Sequence, residues 1–271
     1  MFKSKTIRSG GNAKTIKGDK FGEYETAIMY LAPAAQSLLG NVCPMAATAG
    51  CEMGCLSKAG RAGMFNSIVE ARIAKTRRYF RDRRQFMADL VKDIEAFVRY
   101  CQRKGVKPAV RLNGTSDIQW EVAHPCYRRI ETSDPAQLNP ACFLSIFHAF
   151  PEVQFYDYTK VYKRAYRKLP ANYSLTLSYS EANPAYRDAV LLAALDTETN
   201  IAVVYRSKHV RDAVAGCGKV DSFGHSSGER LAREVIDGDE TDMRFTDPRG
   251  VIVGLYAKGP AKKDTSGFVV G

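Results

Sequence analysis

Short β-rich runs alternate with helical stretches along most of this 271-residue chain. That alternation constrains the fold more than any other feature, because strands separated by helices pair in parallel and bury both faces of one sheet. The strand runs are Thr26–Leu31, Ala109–Leu112, Val153–Tyr156, Ser174–Ser178 and Ile201–Tyr205. Val235–Ile236 is a sixth strand or its start, and Val251–Tyr256, entered through the turn Asp247–Gly250, is the last. Between them, one helix starts near Phe65 or Asn66 and continues through Arg84. Another runs from Gln85 to Arg103, with Phe86, Leu90, Ile94, Phe97 and Val98 at helical spacing and Gly105 as its stop. Further helices are expected around Pro140–Phe150, Ala185–Leu195, Lys208–Ala215 and Glu229–Glu234. Six or seven such units predict an α/β fold, a partial or full (β/α) barrel, with an open doubly wound sheet as the competitor. The expected division is a polar N-terminal extension at 1–24, a single barrel-like domain at 25–257 and a basic, polar tail at 258–271.

Hydrophobic residues make up 45% and charged residues 25%, which excludes a disordered chain. No apolar run approaches the length of a membrane span, and the first twenty residues carry no apolar signal segment, so a cytoplasmic protein without a membrane partner is expected. Lys and Arg exceed Asp and Glu by 40 to 29, a net +11, which favours an anionic partner. The cations concentrate between Arg72 and Arg84: Arg72, Lys75, Arg77, Arg78, Arg81, Arg83 and Arg84, with Tyr79 and Phe80 among them. On a helix several of these share a face, as contact with a nucleotide or a nucleic-acid backbone requires. The same helix also reads as a solvated outer element packing Ile68, Ile73 and Phe80 on the sheet.

Seven cysteines in a cytosolic chain do not suggest a disulfide framework. Cys101, Cys126, Cys142 and Cys217 are scattered and read as small buried apolar residues. Cys43, Cys51 and Cys55 instead fall together as C-x7-C-x3-C, in a loop directly after the first strand, interleaved with Gly50, Gly54 and several alanines. Thiolates select zinc, copper or iron–sulfur clusters. With no histidine nearby, three thiolates suit three irons of a [4Fe–4S] cube; zinc completed by a distant ligand is the alternative.

Polar residues also recur after strand upon strand, where α/β folds place their reactive face. These are Asn113–Asp117, then Asp157, Tyr158 and Lys160, then Ser178 and Ser180, then Arg206. Asp157 is a candidate proton acceptor; Lys160 and Arg206 are candidate anchors for phosphate or carboxylate. Asp237, Asp239, Glu240 and Asp242 could hold Mg²⁺ through oxygen ligands, or form a solvated acidic turn.

A three-cysteine loop after the first strand with a polar cluster after the second resembles the layout of radical S-adenosylmethionine enzymes, although their usual spacing is C-x3-C-x2-C. The resemblance implies a [4Fe–4S] cluster on Cys43, Cys51 and Cys55, S-adenosylmethionine as cofactor and an external electron donor. It further implies that Asn113, Thr115, Ser116 and Asp117 help seat the methionine portion, with Ser178 and Ser180 near the ribose and Val251–Leu255 near the adenine. The stretches CPMAATAGC, GRAGMFN, KTRRYFRDR, AVRLNGTSD and IDGDETDMRF, with the following GVIVGLYAKG, are similar to the bacteriophage gene product 88-like family. That similarity implies a viral origin and the host cytoplasm, and no activity. The expected function is radical S-adenosylmethionine chemistry on a nucleotide or nucleic acid. The alternatives are a zinc-stabilised nucleic-acid-binding protein and a metal nuclease using Asp237, Asp239 and Asp242.

Overall fold

A computed structural model describes residues 1–10, 15–16, 22–129, 140–216 and 219–271. Strand β1 (Ile7–Ser9) lies antiparallel on β2 (Tyr24–Met29). After β2 come the cysteine loop and two helices, α1 (Asn66–Arg81) and α2 (Arg83–Lys104). Asp82 separates the two: its N–H donates to the Arg78 carbonyl, and its side chain accepts from Gln85 N at 2.9 Å, capping α2. Gly105, at φ 67°, closes α2 in the left-handed conformation that glycine adopts without penalty. The boundary expected at Gln85 therefore lies a few residues earlier.

Strand β3 (Lys107–Arg111) follows, then a hairpin of β4 (Cys126–Arg129) and β5 (Pro140–Phe143), and the single turn α3 (Ile146–Ala149). Next are β6 (Gln154–Thr159), β7 (Tyr173–Ser178), α4 (Pro184–Thr197), β8 (Ile201–Tyr205) and α5 (Lys208–Val214). The last strands are β9 (Val220–Gly224), β10 (Arg230–Asp237) and β11 (Ile252–Tyr256). They form one large sheet in the order β1-β2-β3-β6-β7-β8-β11-β10-β9. Every pair from β2 to β10 in that order is parallel; β1 and β9 add antiparallel strands at its two ends.

The α/β class and the mostly parallel sheet are thus as expected. From β2 to β8 the parallel strands succeed one another in chain order, as in a barrel half and unlike a doubly wound sheet, which reverses at its centre. The winding departs from simple succession only at the end, where β11 enters between β8 and β10.

Two expected helices are strands in whole or in part. All of the stretch Glu229–Glu234 but its first residue belongs to β10, where Leu231 and Val235 are buried and the remainder more exposed. Leu231 and Val235 are four apart, a spacing that a helix and a strand share. Pairing with β9 on one side and β11 on the other decides for the strand despite the helix-forming composition. Pro140–Phe150 divides into β5 and α3, because Pro140–Phe143 pairs with β4 and leaves one helical turn.

The core lies mainly between α2 and the facing side of β2, β3 and β6. Phe86, Leu90, Ile94 and Phe97 of α2 meet Met29, Val110, Leu112 and Phe155. A second cluster packs Val190, Leu191 and Ala194 of α4 against Ile201, Val203 and Ile252. Cys101 and Cys126 are buried, as expected of small apolar residues, but Cys142 is exposed. Cys217 lies outside the described residues.

The opposite face of the sheet is polar and is covered by the 3-10 turn Arg244–Thr246. Phe245 sits edge-on to Tyr24 at 4.9 Å and near Tyr156 at 5.5 Å. Asp242, just before the turn, pairs with Arg111 at 3.0 Å. Residues 258–271 do not trail away: Val270 N donates to Val204 O at 2.8 Å, and Glu181 N to Gly267 O at 2.8 Å, so the tail fills the gap where β7 and β8 diverge.

Phe97 is fully buried in the first cluster. Replacing it with alanine is expected to destabilise the fold by about 3–5 kcal/mol in urea unfolding. Leu192→Ala, at a position 40% exposed, should change stability by about 1 kcal/mol or less.

Candidate active site at the cysteine loop

The chain leaves β2 at the carboxyl end of the parallel strands, and the loop that follows is tied down by main-chain and hydroxyl contacts. Asp117 N donates to Val42 O at 2.8 Å, Thr115 Oγ1 to Leu31 O at 2.6 Å, Ser180 Oγ to Ala49 O at 2.7 Å and Ser266 Oγ to Gly50 O at 3.0 Å. The loops after β3 and β7 and the chain's tail therefore all hold this segment. Gly50 is required here: its φ is 63°, and a Cβ would lie 2.6 Å from Ser266 Oγ and 2.7 Å from Ala182 Cβ. Gly114 is required for a similar reason, since a Cβ would meet Met29 O at 2.7 Å.

Cys43, Cys51 and Cys55 are all half-buried and free. Burial pushes the Cys43 thiol up to about 12, and Asp117 and the other two thiols add to that shift. Burial also raises Cys51, against the pull of Lys160. The three sulfurs thus lie within electrostatic reach of one another. Among the described residues no three His, Cys, Asp or Glu side chains form a group that could hold a metal ion.

Lys160 stands beside the thiols. Its Nζ donates to Ser178 Oγ at 2.8 Å and lies 4.7 Å from the centre of the Phe268 ring. Desolvation lowers its pKa, while Cys51, Asp117, Cys55 and Cys43 raise it, so the amine is the local cation facing the cysteine loop. Asp117 is buried and fully engaged: Oδ1 accepts from Thr159 Oγ1 at 2.8 Å and Arg164 Nη1 at 3.0 Å, and Oδ2 from Lys160 N at 2.7 Å. Burial raises its pKa and Arg164 opposes the shift. Arg164, completely buried, also grips Glu121 through Nε and Nη2, both at 2.9 Å.

Several expected site residues serve the framework in this structure. Asn113 Oδ1 accepts from Ser116 Oγ, Ile118 N and the Trp120 indole at 2.9–3.1 Å, and its Nδ2 donates to Ile118 O at 2.9 Å. Arg206 donates to Asp264 O at 2.7 Å and to Gly271 O at 3.3 Å, clamping the tail. Asp157 and Tyr158 do not converge, because neighbouring strand residues point to opposite faces. Asp157 faces Asn113 N (2.7 Å) and Tyr173 OH (3.1 Å) on the helix side, while Tyr158 lies against Arg111 on the other. Of the acidic residues, Asp237 and Asp239 stay together on Arg211, Asp239 also pairing with Lys258 at 2.7 Å, whereas Asp242 pairs with Arg111 at 3.0 Å. The basic stretch is likewise partly consumed: Lys75 donates to Thr6 O at 2.8 Å, Arg77 to Ser37 O at 3.0 Å, Arg78 pairs with Asp89, and Arg72 is buried. Arg81, Arg83 and Arg84 remain exposed at the junction of α1 and α2.

Sequence reasoning missed Arg164, Phe268 and Ser266. None belongs to a motif, and each reaches the site only through the fold. Residues 4–271 match the family described as gene product 88. No curated protein and no solved structure matches the chain.

Burial raises Asp157 to about 7, against Arg111 and the Asn113 N–H, from an unfolded value near 4. A raised carboxyl stabilises the fold most below about pH 4, and that contribution is lost as pH rises toward 7. Asp157→Asn is therefore expected to flatten the stability profile over this window. Urea titrations from pH 4.5 to 8 should show the difference from the parent shrinking by on the order of 1 kcal/mol per pH unit.

Proposed function

We propose that this chain, which belongs to the gene product 88 family of bacteriophage proteins, is an iron–sulfur enzyme of radical S-adenosylmethionine type acting on a nucleotide or nucleic acid. One observation carries the reading. Three free thiols come from a single loop at the carboxyl end of a parallel sheet, with the Lys160 amine near enough to feel their charge.

The donor set is three cysteine thiols of one loop, Cys43, Cys51 and Cys55, with no histidine beside them in the sequence, the soft ligands that an iron–sulfur cube takes one to each of three irons. Cys43, Cys51 and Cys55 would hold it. When bound, a cluster would supply one electron, drawn from an external donor, for cleavage of the sulfur–C5′ bond of S-adenosylmethionine to methionine and a 5′-deoxyadenosyl radical that takes a substrate hydrogen.

The chain's own residues prepare that chemistry. Lys160 offsets the negative charge that accumulates when the thiols deprotonate. Asp117, whose two oxygens are occupied by Thr159, Arg164 and the Lys160 N–H, fixes Lys160 and the loop after β3 rather than meeting the cofactor itself. Thr115 places its carbonyl 3.8 Å from Cys43 Sγ, and Asn113 and Ser116 set that turn. Ser178 orients the Lys160 amine, and Ser180 anchors the loop at Ala49. Phosphate-bearing substrate is favoured by the net +11 and by the exposed Arg81, Arg83 and Arg84.

Anaerobic purification followed by iron and sulfide assay is expected to give about four of each per chain, and the reduced protein's EPR signal should change on adding S-adenosylmethionine. Cys51→Ala should lose most of the iron while keeping the parent's far-UV spectrum. Because burial holds Cys43 and Cys51 protonated, loading must release protons and should proceed further at pH 8.5 than at pH 6.5. Zinc in place of iron, or no metal after reconstitution, overturns the proposal.

A further inference from the structure

A pocket of about 190 Å³ opens beside the cysteine loop. It is lined by Gln36, Ser57, Lys58, Gly63, Val69 and Arg72. Ser57 and Lys58 belong to the 3-10 turn Leu56–Lys58 that begins directly after Cys55, and Arg72 comes from α1.

Arg72 is the anomaly of this region. It is more than nine-tenths buried, yet its Nε and Nη1 have no hydrogen-bond partner. The other buried arginines all have a carboxylate within ion-pair distance. Arg111 has Asp242 at 3.0 Å, Arg164 has Glu121 at 2.9 Å, Arg211 has Asp212 at 2.6 Å and Arg244 has Asp247 at 3.2 Å. Among the described residues Arg72 has none. It lies over the Tyr30 ring at 4.8 Å, and Arg8 lies over the same ring at 5.4 Å, so a second cation adds to the unbalanced charge. A buried guanidinium without a counter-charge is costly, and evolution of a stable fold removes or pairs it unless a ligand completes it.

The geometry points to an anion-binding subsite for a phosphate group, completed by Arg72 and assisted by Lys58 and the Ser57 hydroxyl. Arg72 brings an uncompensated guanidinium charge to the wall of the pocket, the group with which phosphate oxygens pair. Lys58 adds a second charge, and Ser57 and Gln36 add neutral donors for the remaining oxygens. The volume is below the 300 Å³ or so at which drug-sized ligands are enclosed. The pocket therefore takes the phosphate, with any nucleoside portion extending outward. This assignment does not depend on a metal or on the identity of the reaction.

Isothermal titration of the full chain with inorganic phosphate, deoxyadenosine monophosphate and deoxyadenosine tests it by binding alone, so its failure leaves the cluster proposal standing. Phosphate and the monophosphate are expected to bind saturably, more weakly as salt rises, and the nucleoside not to bind. Arg72→Gln should weaken anion binding at least tenfold and Lys58→Ala several-fold. Tighter binding of the monophosphate than of phosphate identifies a nucleotide as the source, and equal binding identifies free phosphate. Should Arg72→Gln fail to fold, Arg72→Lys keeps the charge and loses the planar fork, and together with Lys58→Ala it supplies the same readout. Absence of saturable binding by both anions, or unchanged affinity in the variants, overturns the assignment.

Discussion

The contact between Asp117 and Arg164 holds the cysteine-loop edge of the sheet together. Asp117 begins in the loop after β3, yet it receives the backbone of Lys160, the hydroxyl of Thr159 and the guanidinium of Arg164 from the region after β6. Through its own N–H it also holds Val42, one residue before the first cysteine of the loop. Arg164 extends the network to Glu121 and to Tyr173, whose hydroxyl donates to Asp157. Removing one partner of a buried pair typically costs about 3–5 kcal/mol, because the other charge is left without water or counter-ion. Here that loss would fall on three loops at once, and the cysteine loop and Lys160 would no longer keep their relation.

How far the sequence reveals this depends on the range of the forces involved. Ile201–Tyr205 is a strand at the limits its composition suggests, and α2 buries the residues that its periodicity marks, since local pattern and tertiary packing agree there. The cysteine loop likewise lies where its position after the first parallel strand requires. Glu229–Glu234 fails because its helix-forming composition yields to strands contributed by distant segments. Arg72 and Lys75 show a different limit. A row of cations reads as a solvated stripe, but α1 turns these two inward, toward Tyr30 and the Thr6 carbonyl. Asn113 looks like a ligand-binding residue because it is polar and follows a strand; its amide is instead spent on Ser116, Ile118 and Trp120. Residue type announces hydrogen-bonding capacity, and only the fold decides what uses it.

The two faces of the sheet divide the labour. The helix-facing side is a close-packed apolar core that admits buried polar groups such as Asp157 with its partners and Glu25 paired to Lys104. The other side is lined by Tyr156, Tyr158 and Arg111 and sealed by Phe245 and its neighbours. Several buried polar atoms on that side, including both tyrosine hydroxyls and Arg111 Nε, have no hydrogen-bond partner. Stability is therefore concentrated on one face, and the chemistry-bearing side chains stand at the rim where the two faces meet.

The tail that fills the gap between β7 and β8 imposes an order on the birth of the molecule. Ser266 supports Gly50 inside the cysteine loop, and Phe268 lies under the Lys160 amine, yet both residues leave the ribosome after every strand of the sheet. Chains grow from the amino end and begin to fold as they emerge. The nascent protein can thus assemble its sheet while the thiols are still unsupported, and the loop gains its contacts to Ser266 only once that residue has emerged.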